Sequence, residues 1–161
     1  MEPQHESRLI EASLRSASLH DLWVTTPKTS EEFLAQLNRY DSKNDYGFLC
    51  VDENKDLVAW ISLTGIVRGI FQSAYMGYCA FLPFDGKGLV RDSMKLVIAH
   101  SCDELKPHRL EANIQPGNTK SIKLVSSLGF RLEGLSPRYL KVRGEWRDHQ
   151  RYAITAEELE S

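Results

Sequence analysis

The chain has 161 residues, 42% hydrophobic and 26% charged, which suits one globular domain over 1–161 and excludes a chain too polar to bury a core. Its 20 Lys and Arg against 22 Asp and Glu give a net charge of -2, so no overall positive field draws it to nucleic acid, and no apolar run reaches membrane-span length. The opening MEPQHESRLIEAS lacks the basic-then-apolar order of a signal peptide, so a cytoplasmic location is expected, with no membrane and no direct nucleic-acid partner.

In chain order, Leu9, Ile10, Leu14 and Ala17 recur at helical spacing and predict an amphipathic helix over 8–17. Thr29-Ser30-Glu31-Glu32 reads as a capping box ahead of a second helix carrying Phe33, Leu34 and Leu37. From Tyr46 the pattern turns to strands: YGFLCV, a polar turn over 52–56, then LVAWISLTGIV. A third strand is expected over 73–81. Pro83 and Asp85-Gly86-Lys87-Gly88 end it, because proline lacks a ladder donor and glycine permits tight turns. Val90, Met94, Val97, Ile98, Ser101 and Leu105 share a face of a helix over 89–105. A strand over 109–115, a loop at Pro116-Gly117-Asn118 and a helix over 119–128 closed by Gly129 follow. Two strands, 130–142 and 145–154, finish the chain around Arg143-Gly144. This order is α+β, a mixed, largely antiparallel sheet flanked by helices, undivided by repeat or linker.

Cys50, Cys79 and Cys102 are odd in number and widely spaced, which argues for reduced thiols rather than a disulfide framework or a zinc site. His5, His20, His100, His108 and His149 show no ligand spacing, so no metal is implied. The sharpest chemical feature is the strand, the loop Pro83 to Gly88 and the helix that follows. Backbone N–H groups freed there, together with the positive end of the helix dipole, make an anion site suited to a pyrophosphate. A plain connecting loop explains the same glycines, since the loop carries neither the Lys-Ser/Thr ending of an NTPase nor the third glycine of a dinucleotide fingerprint.

The loop resembles the coenzyme A pyrophosphate loop of GNAT acetyltransferases, Gln/Arg-x-x-Gly-x-Gly/Ala, with Pro83 at the Gln/Arg position. The C-terminal part is more similar: Arg109-Leu-Glu-Ala-Asn-Ile-Gln-Pro-Gly-Asn118, Ser121, Leu128-Gly129-Phe130, Glu133-Gly134, Tyr139-Leu140 and Gly144-Glu-Trp146-Arg-Asp148-His149. That series resembles the RimJ/RimL branch, the ribosomal-protein N-terminal acetyltransferases, nearer to RimJ. The resemblance covers about 19–155, and no counterpart of the family's first strand is evident before the 8–17 helix.

The resemblance implies an acetyl-CoA-dependent N-acetyltransferase with acetyl-CoA and CoA as its cofactors. The acceptor it implies is a protein N-terminal amine, a ribosomal protein among the candidates, or a small amine; a non-catalytic CoA-binding module is the contrasting reading, and a homodimer is left open. By the same resemblance, the strand before the loop splays from its neighbour, so that the backbone of Tyr78, Cys79, Ala80, Phe81 and Leu82 pairs with the pantetheine arm and faces the thioester oxyanion. Asp85, Gly86, Lys87, Gly88 and Leu89 would take the pyrophosphate, with Asn118, Lys120 and Ser121 beyond.

Ser121 matches the serine proposed as acid in the RimL-like branch, although a serine near a helix start is equally a local cap. Val125 stands where many members carry an acidic tyrosine. Glu111 and Asn113, two apart on one strand, share a face. Asn113 stands where related enzymes have glutamate and Tyr75 replaces the glutamate of the preceding strand, which leaves Glu111 as first choice of base and a surface carboxylate as its bland alternative. Trp23, Tyr75, Trp146, Asp148 and His149 are candidates for acceptor binding, Asp148 and His149 facing opposite sides of their strand.

Overall fold

A computed structural model describes residues 1–20, 22–40 and 43–159, so positions 160 and 161 at the end of the 1–161 domain range and positions 21, 41 and 42 lie outside the described residues. Local signals set the helices. The Thr29 side chain accepts the Glu32 N–H at 3.2 Å and starts α3 (Ser30–Arg39). The carboxylate of Glu32 reaches back one residue further than a capping box requires, accepting the N–H of Lys28 at 2.7 Å.

The first helical segment is α1 (Glu6–Arg15), followed after Ser16 by the short α2 (Ala17–His20). Its buried face is not the expected one. Leu9, Ala12, Ser13 and Ser16 are buried while Leu14 is 54% exposed. The spacing of 3, 4 and 7 is still helical, but small residues were needed where the helix lies against the sheet, and apolarity alone pointed elsewhere. Ser16 has a task there: its Oγ accepts the backbone N–H of Leu82 at 2.9 Å.

The strands are β1 (Tyr46–Val51), β2 (Leu57–Val67), β3 (Ser73–Ala80), β4 (Arg109–Ile114), β5 (Arg131–Val142) and β6 (Glu145–Thr155). No strand among the described residues precedes Tyr46. They form one sheet in the order β1-β2-β3-β4-β6-β5, antiparallel throughout except for β3 beside β4. One face packs under α4 (Leu89–Glu104) and α5 (Thr119–Ser127), with Met94, Val97, Ile98 and Val125 against Ile61, Leu63, Leu110 and Ile154. The other face is covered at β2 and β3 by α1 and α3, with Leu9 and Phe33 on Trp60, Cys79 and Phe81. A last turn, α6 (Ala156–Leu159), closes the described chain. No helix among the described residues is long and apolar enough to cross a membrane.

The parallel pair sets up the site. β3 and β4 pair only from Ser73 with Arg109 to Tyr75 with Glu111, after which they separate. A sheet that opens along one seam leaves backbone donors and acceptors unpaired there, a condition that calls for another partner.

Candidate active site

Between the separating strands lies a cavity of about 700 Å³. Its walls come from Leu19, His20 and Trp23 on the α2 side, Met76 to Ala80 of β3, Ala112 to Ile114 of β4, and Lys120, Ser121 and Leu124 of α5. The N–H of Phe81 donates to Val58 on β2 at 2.8 Å, so alternation turns the backbone groups of Met76, Tyr78 and Ala80 the other way, toward the gap.

This open edge is shorter than the expected 78–82. The carbonyl of Ala80 accepts from His20 Nε2 at 2.7 Å, the N–H of Leu82 is bound by Ser16, and the Leu82 carbonyl accepts from Arg15 Nε at 2.8 Å. Phe81 is fully buried on the opposite face, among the residues under α1 and α3. Phe81 and Leu82 therefore anchor the helical layer rather than line the cavity, and the backbone of Met76 and Tyr78 forms its open edge. Burial pushes the Cys79 thiol up to about 12, which leaves it without thiolate reactivity at neutral pH.

At the mouth, Gly86 and Gly88 take left-handed φ values of 71° and 82°. Open space surrounds both, so the reason for glycine is the backbone conformation and not a close neighbour. Gly88 supplies no side chain to cap α4, whose first N–H groups stay available to an anion. Arg91, Lys120 and Lys123 line the same end, against one carboxylate among the described residues, Asp85. Lys120 Nζ stands 3.9 Å from Asp85. Lys87 and Leu89 lie outside the cavity wall, the Lys87 ammonium resting over the Phe84 ring at 5.9 Å.

Asn118 starts α5 by accepting the Ser121 N–H on Oδ1 at 3.2 Å, which sets Ser121 at the cavity. There the Ser121 Oγ meets the Tyr78 hydroxyl at 2.5 Å. Burial pushes the pKa of Tyr78 well above the ordinary phenol range, with the Ser121 hydrogen bond offsetting part of the effect, so Tyr78 keeps its proton and can donate it. Tyr78 also donates to the Ser121 carbonyl at 3.3 Å.

The candidates for the acceptor side divide. Trp23, Asn113 and His149 line the cavity; Glu111, Tyr75, Trp146 and Asp148 do not. Glu111 is buried, and Arg109 donates to it through Nε at 2.7 Å while the same guanidinium also pairs with Glu133. This ion pair holds the carboxylate away from the cavity. Tyr75 bonds Tyr139, a contact that, more than burial, raises its pKa. Trp146 is 60% exposed near the tip of the β5–β6 hairpin. Asp148 accepts the N–H of Arg138 at 2.7 Å, steadying the irregular β5 where Arg138 has a φ of 48°. His149, facing the other way, is buried.

Sequence reasoning had no access to His20, Arg91, Gln115 and Lys123, which also line the cavity. Arg91 and Lys123 lay on helices whose ends pointed at the loop, a signal that helical periodicity could have yielded. Gln115 donates to the Leu22 carbonyl at 3.4 Å, and Gly117 admits the Trp23 ring, which would lie 3.2 Å from an added Cβ. These contacts close the acceptor end across 93 residues of sequence. Among the described residues no group of three or more His, Cys, Asp or Glu could hold a metal ion.

The family model described as "Acetyltransferase (GNAT) domain" matches residues 7–131. The [ribosomal protein uS5]-alanine N-acetyltransferase of Escherichia coli (strain K12) is 32% identical over 125 residues, 76% of this chain and 64% of the relative, so the alignment spans less than two thirds of that enzyme. Among solved structures, Mycobacterium smegmatis RimJ in complex with CoA-disulfide superposes with a TM-score of 0.89 at 24% identity, over all of this chain and 82% of that one. A chimera of the Vibrio cholerae spermidine N-acetyltransferase SpeG and hSSAT shares the fold with a TM-score of 0.81 at 18% identity, covering 100% and 97% of the two chains.

Proposed function

The chain belongs to the GNAT acetyltransferase family, and from that premise we propose that it moves the acetyl group of acetyl-coenzyme A to the α-amino group at the N-terminus of a peptide or protein. Bound in the seam between β3 and β4, acetyl-CoA would supply the activated thioester. The residues present fit that ligand. The free edge at Met76 and Tyr78 suits an extended amide-bearing arm, while the α4 N-terminus with Arg91, Lys120 and Lys123 suits phosphates. Asp85 is the one misfit, and Lys120 partly offsets it.

In this reading the Tyr78 N–H faces the developing oxyanion. Ser121, held by Tyr78, turns a hydroxyl toward the leaving sulfur.

One observation favours a peptide N-terminus over a polyamine. The described cavity wall carries a single carboxylate, Asp85, at its phosphate end, and none beside Trp23, Asn113, Gln115 and His149. A polyamine brings several positive charges and needs carboxylates to replace their water. An N-terminal amine brings one, along with peptide groups that hydrogen-bond to amides such as Asn113 and Gln115. Its ordinary pKa near about 8, against about 10.4 for lysine, also makes the attacking neutral form easier to reach. The test compares acetyl transfer to a short peptide with a free N-terminus, to the same peptide blocked there but carrying lysine, and to spermidine. Faster transfer to the free N-terminus is the expected result; faster transfer to spermidine would overturn the assignment.

A further inference from the structure

The reaction needs a group to take the proton that the acceptor amine sheds, and Glu111, ion-paired with Arg109 and away from the cavity, is placed for no such role. We propose that His149 is the general base, receiving that proton on Nε2. This inference rests on the acetyltransferase reading and adds a catalytic residue to it.

Three observations carry it. First, His149 is the one residue of the Gly144-Glu-Trp146-Arg-Asp148-His149 run that reaches the cavity, although it is buried at 4% exposure. Second, its tautomer is set. Nδ1 lies 2.9 Å from the backbone carbonyl of Arg147, and a carbonyl oxygen can only accept, so Nδ1 carries the hydrogen. In the neutral ring Nε2 is then the nitrogen with the free lone pair. Third, the neighbours hold the ring in place and supply a second acceptor. The Tyr139 ring tilts against it at 6.3 Å between centroids. On β4, Asn113 pairs with Arg151, which places it diagonally next to His149 on the same sheet face. Its buried Oδ1 has no hydrogen-bond partner among the described residues. A lone pair and an unpartnered amide at one end of a cavity suit a donor of several N–H bonds, which is what an ammonium group is.

The charged and titratable groups nearest the imidazole are Arg147 and Arg151, two residues to either side of it on β6 and on the same face, and Tyr139 on β5, while His20 on α2 and Lys120 on α5 share the cavity wall with it and Glu111 with its Arg109 lies further along β4. Among them Glu111 is the carboxylate, and it is already paired. In the step itself, the acceptor ammonium gives one proton to His149 Nε2 and the neutral amine forms a bond to the acetyl carbon. The carbon–sulfur bond breaks with its electron pair leaving on sulfur. The nitrogen, positively charged after the attack, sheds its second proton, which is relayed past Ser121 to the thiolate, and the imidazolium returns the first to solvent, so protons balance.

Because the acceptor amine titrates in the same pH range as an imidazole, chemical rescue is a cleaner test than a pH profile. His149→Ala and His149→Gln are compared with the natural chain for peptide acetylation and for the thermal shift given by acetyl-CoA. The expected result is a fall in kcat of about 100-fold or more in both variants, an unchanged cofactor shift, and saturable recovery of His149→Ala by added imidazole. His149→Gln keeps a donor for the Arg147 carbonyl and so guards against a folding defect in the alanine variant. Wild-type turnover in either variant overturns the inference. So does a loss confined to KM for the peptide, or a loss that imidazole fails to restore, since either marks a positioning role. If the natural chain shows the cofactor shift but acetylates no amine, the acetyltransferase reading fails first and the base assignment with it.

Discussion

At the residue scale, the site turns on which polar groups are already engaged. Ser121 has its Oγ against Tyr78 and its N–H on Asn118, so its hydroxyl is fixed in place at the cavity. Ser121→Ala should lower kcat about tenfold or more with little change in KM for acetyl-CoA, as loss of a contact made in the transition state requires; an unchanged kcat in steady-state assays would remove the serine from the mechanism. Asp85 predicts the opposite sign. It is a carboxylate beside an uncapped helix N-terminus and three cations, and Asp85→Asn should tighten CoA binding about two- to fivefold, the effect of about 0.3–1 kcal/mol for one charge in such a place. Titration calorimetry at low salt would reveal it.

A third residue concerns stability. Hydrogen bonding to the Arg109 guanidinium, more than any other contact, holds the Glu133 carboxyl down at about 2, below the ordinary value near about 4.3. A depressed carboxylate stabilises the fold above its unfolded value, and the contribution is lost as pH falls toward about 2. Acid unfolding of Glu133→Gln should therefore be flatter than that of the natural chain between those two limits.

At the scale of elements, α4 and its loop carry the anion site through backbone geometry. Gly88→Ala places a Cβ at a φ of 82°, where the added atom meets no neighbour, so the cost is conformational and about 1–2 kcal/mol. The melting temperature should drop accordingly and CoA affinity should fall as the loop relaxes to another conformation. The separation of β3 from β4 has a different basis. Leu22, Trp23 and His20 hold the α2 region against Gln115, Gly117 and the Ala80 carbonyl, so that the edge of β3 is closed at Ala80 and open at Tyr78.

At the scale of the whole molecule, much of the architecture was legible because period and punctuation agreed. YGFLCV and LVAWISLTGIV became β1 and β2 with their expected bounds, and Gly129 ends α5 with a φ of 90°. What the pattern misread was depth. Leu14 was apolar at the right spacing but Ser13 and Ser16 were the residues that fitted beneath α1, since small size was needed there. The candidate site was legible where alternation decided it, as in the opposition of His149 to Asp148. It was illegible where a contact joined distant segments, as with Arg109 on Glu111 and Glu133, or Leu22 on Gln115. No local spacing encodes such a contact. Charge follows the same division: the chain is formally -2, yet its cavity mouth gathers Arg91, Lys120 and Lys123.

The measurement closest to the central claim is thermal unfolding with and without acetyl-CoA. A ligand that binds only the folded chain stabilises it by about 2.7 kcal/mol at a hundred times its Kd. A ligand held in the β3–β4 seam should give a saturable rise of several degrees, reduced in Gly88→Ala and in Lys120→Gln. No rise at millimolar acetyl-CoA would mean that the seam and its glycine loop hold no coenzyme, contradicting the account.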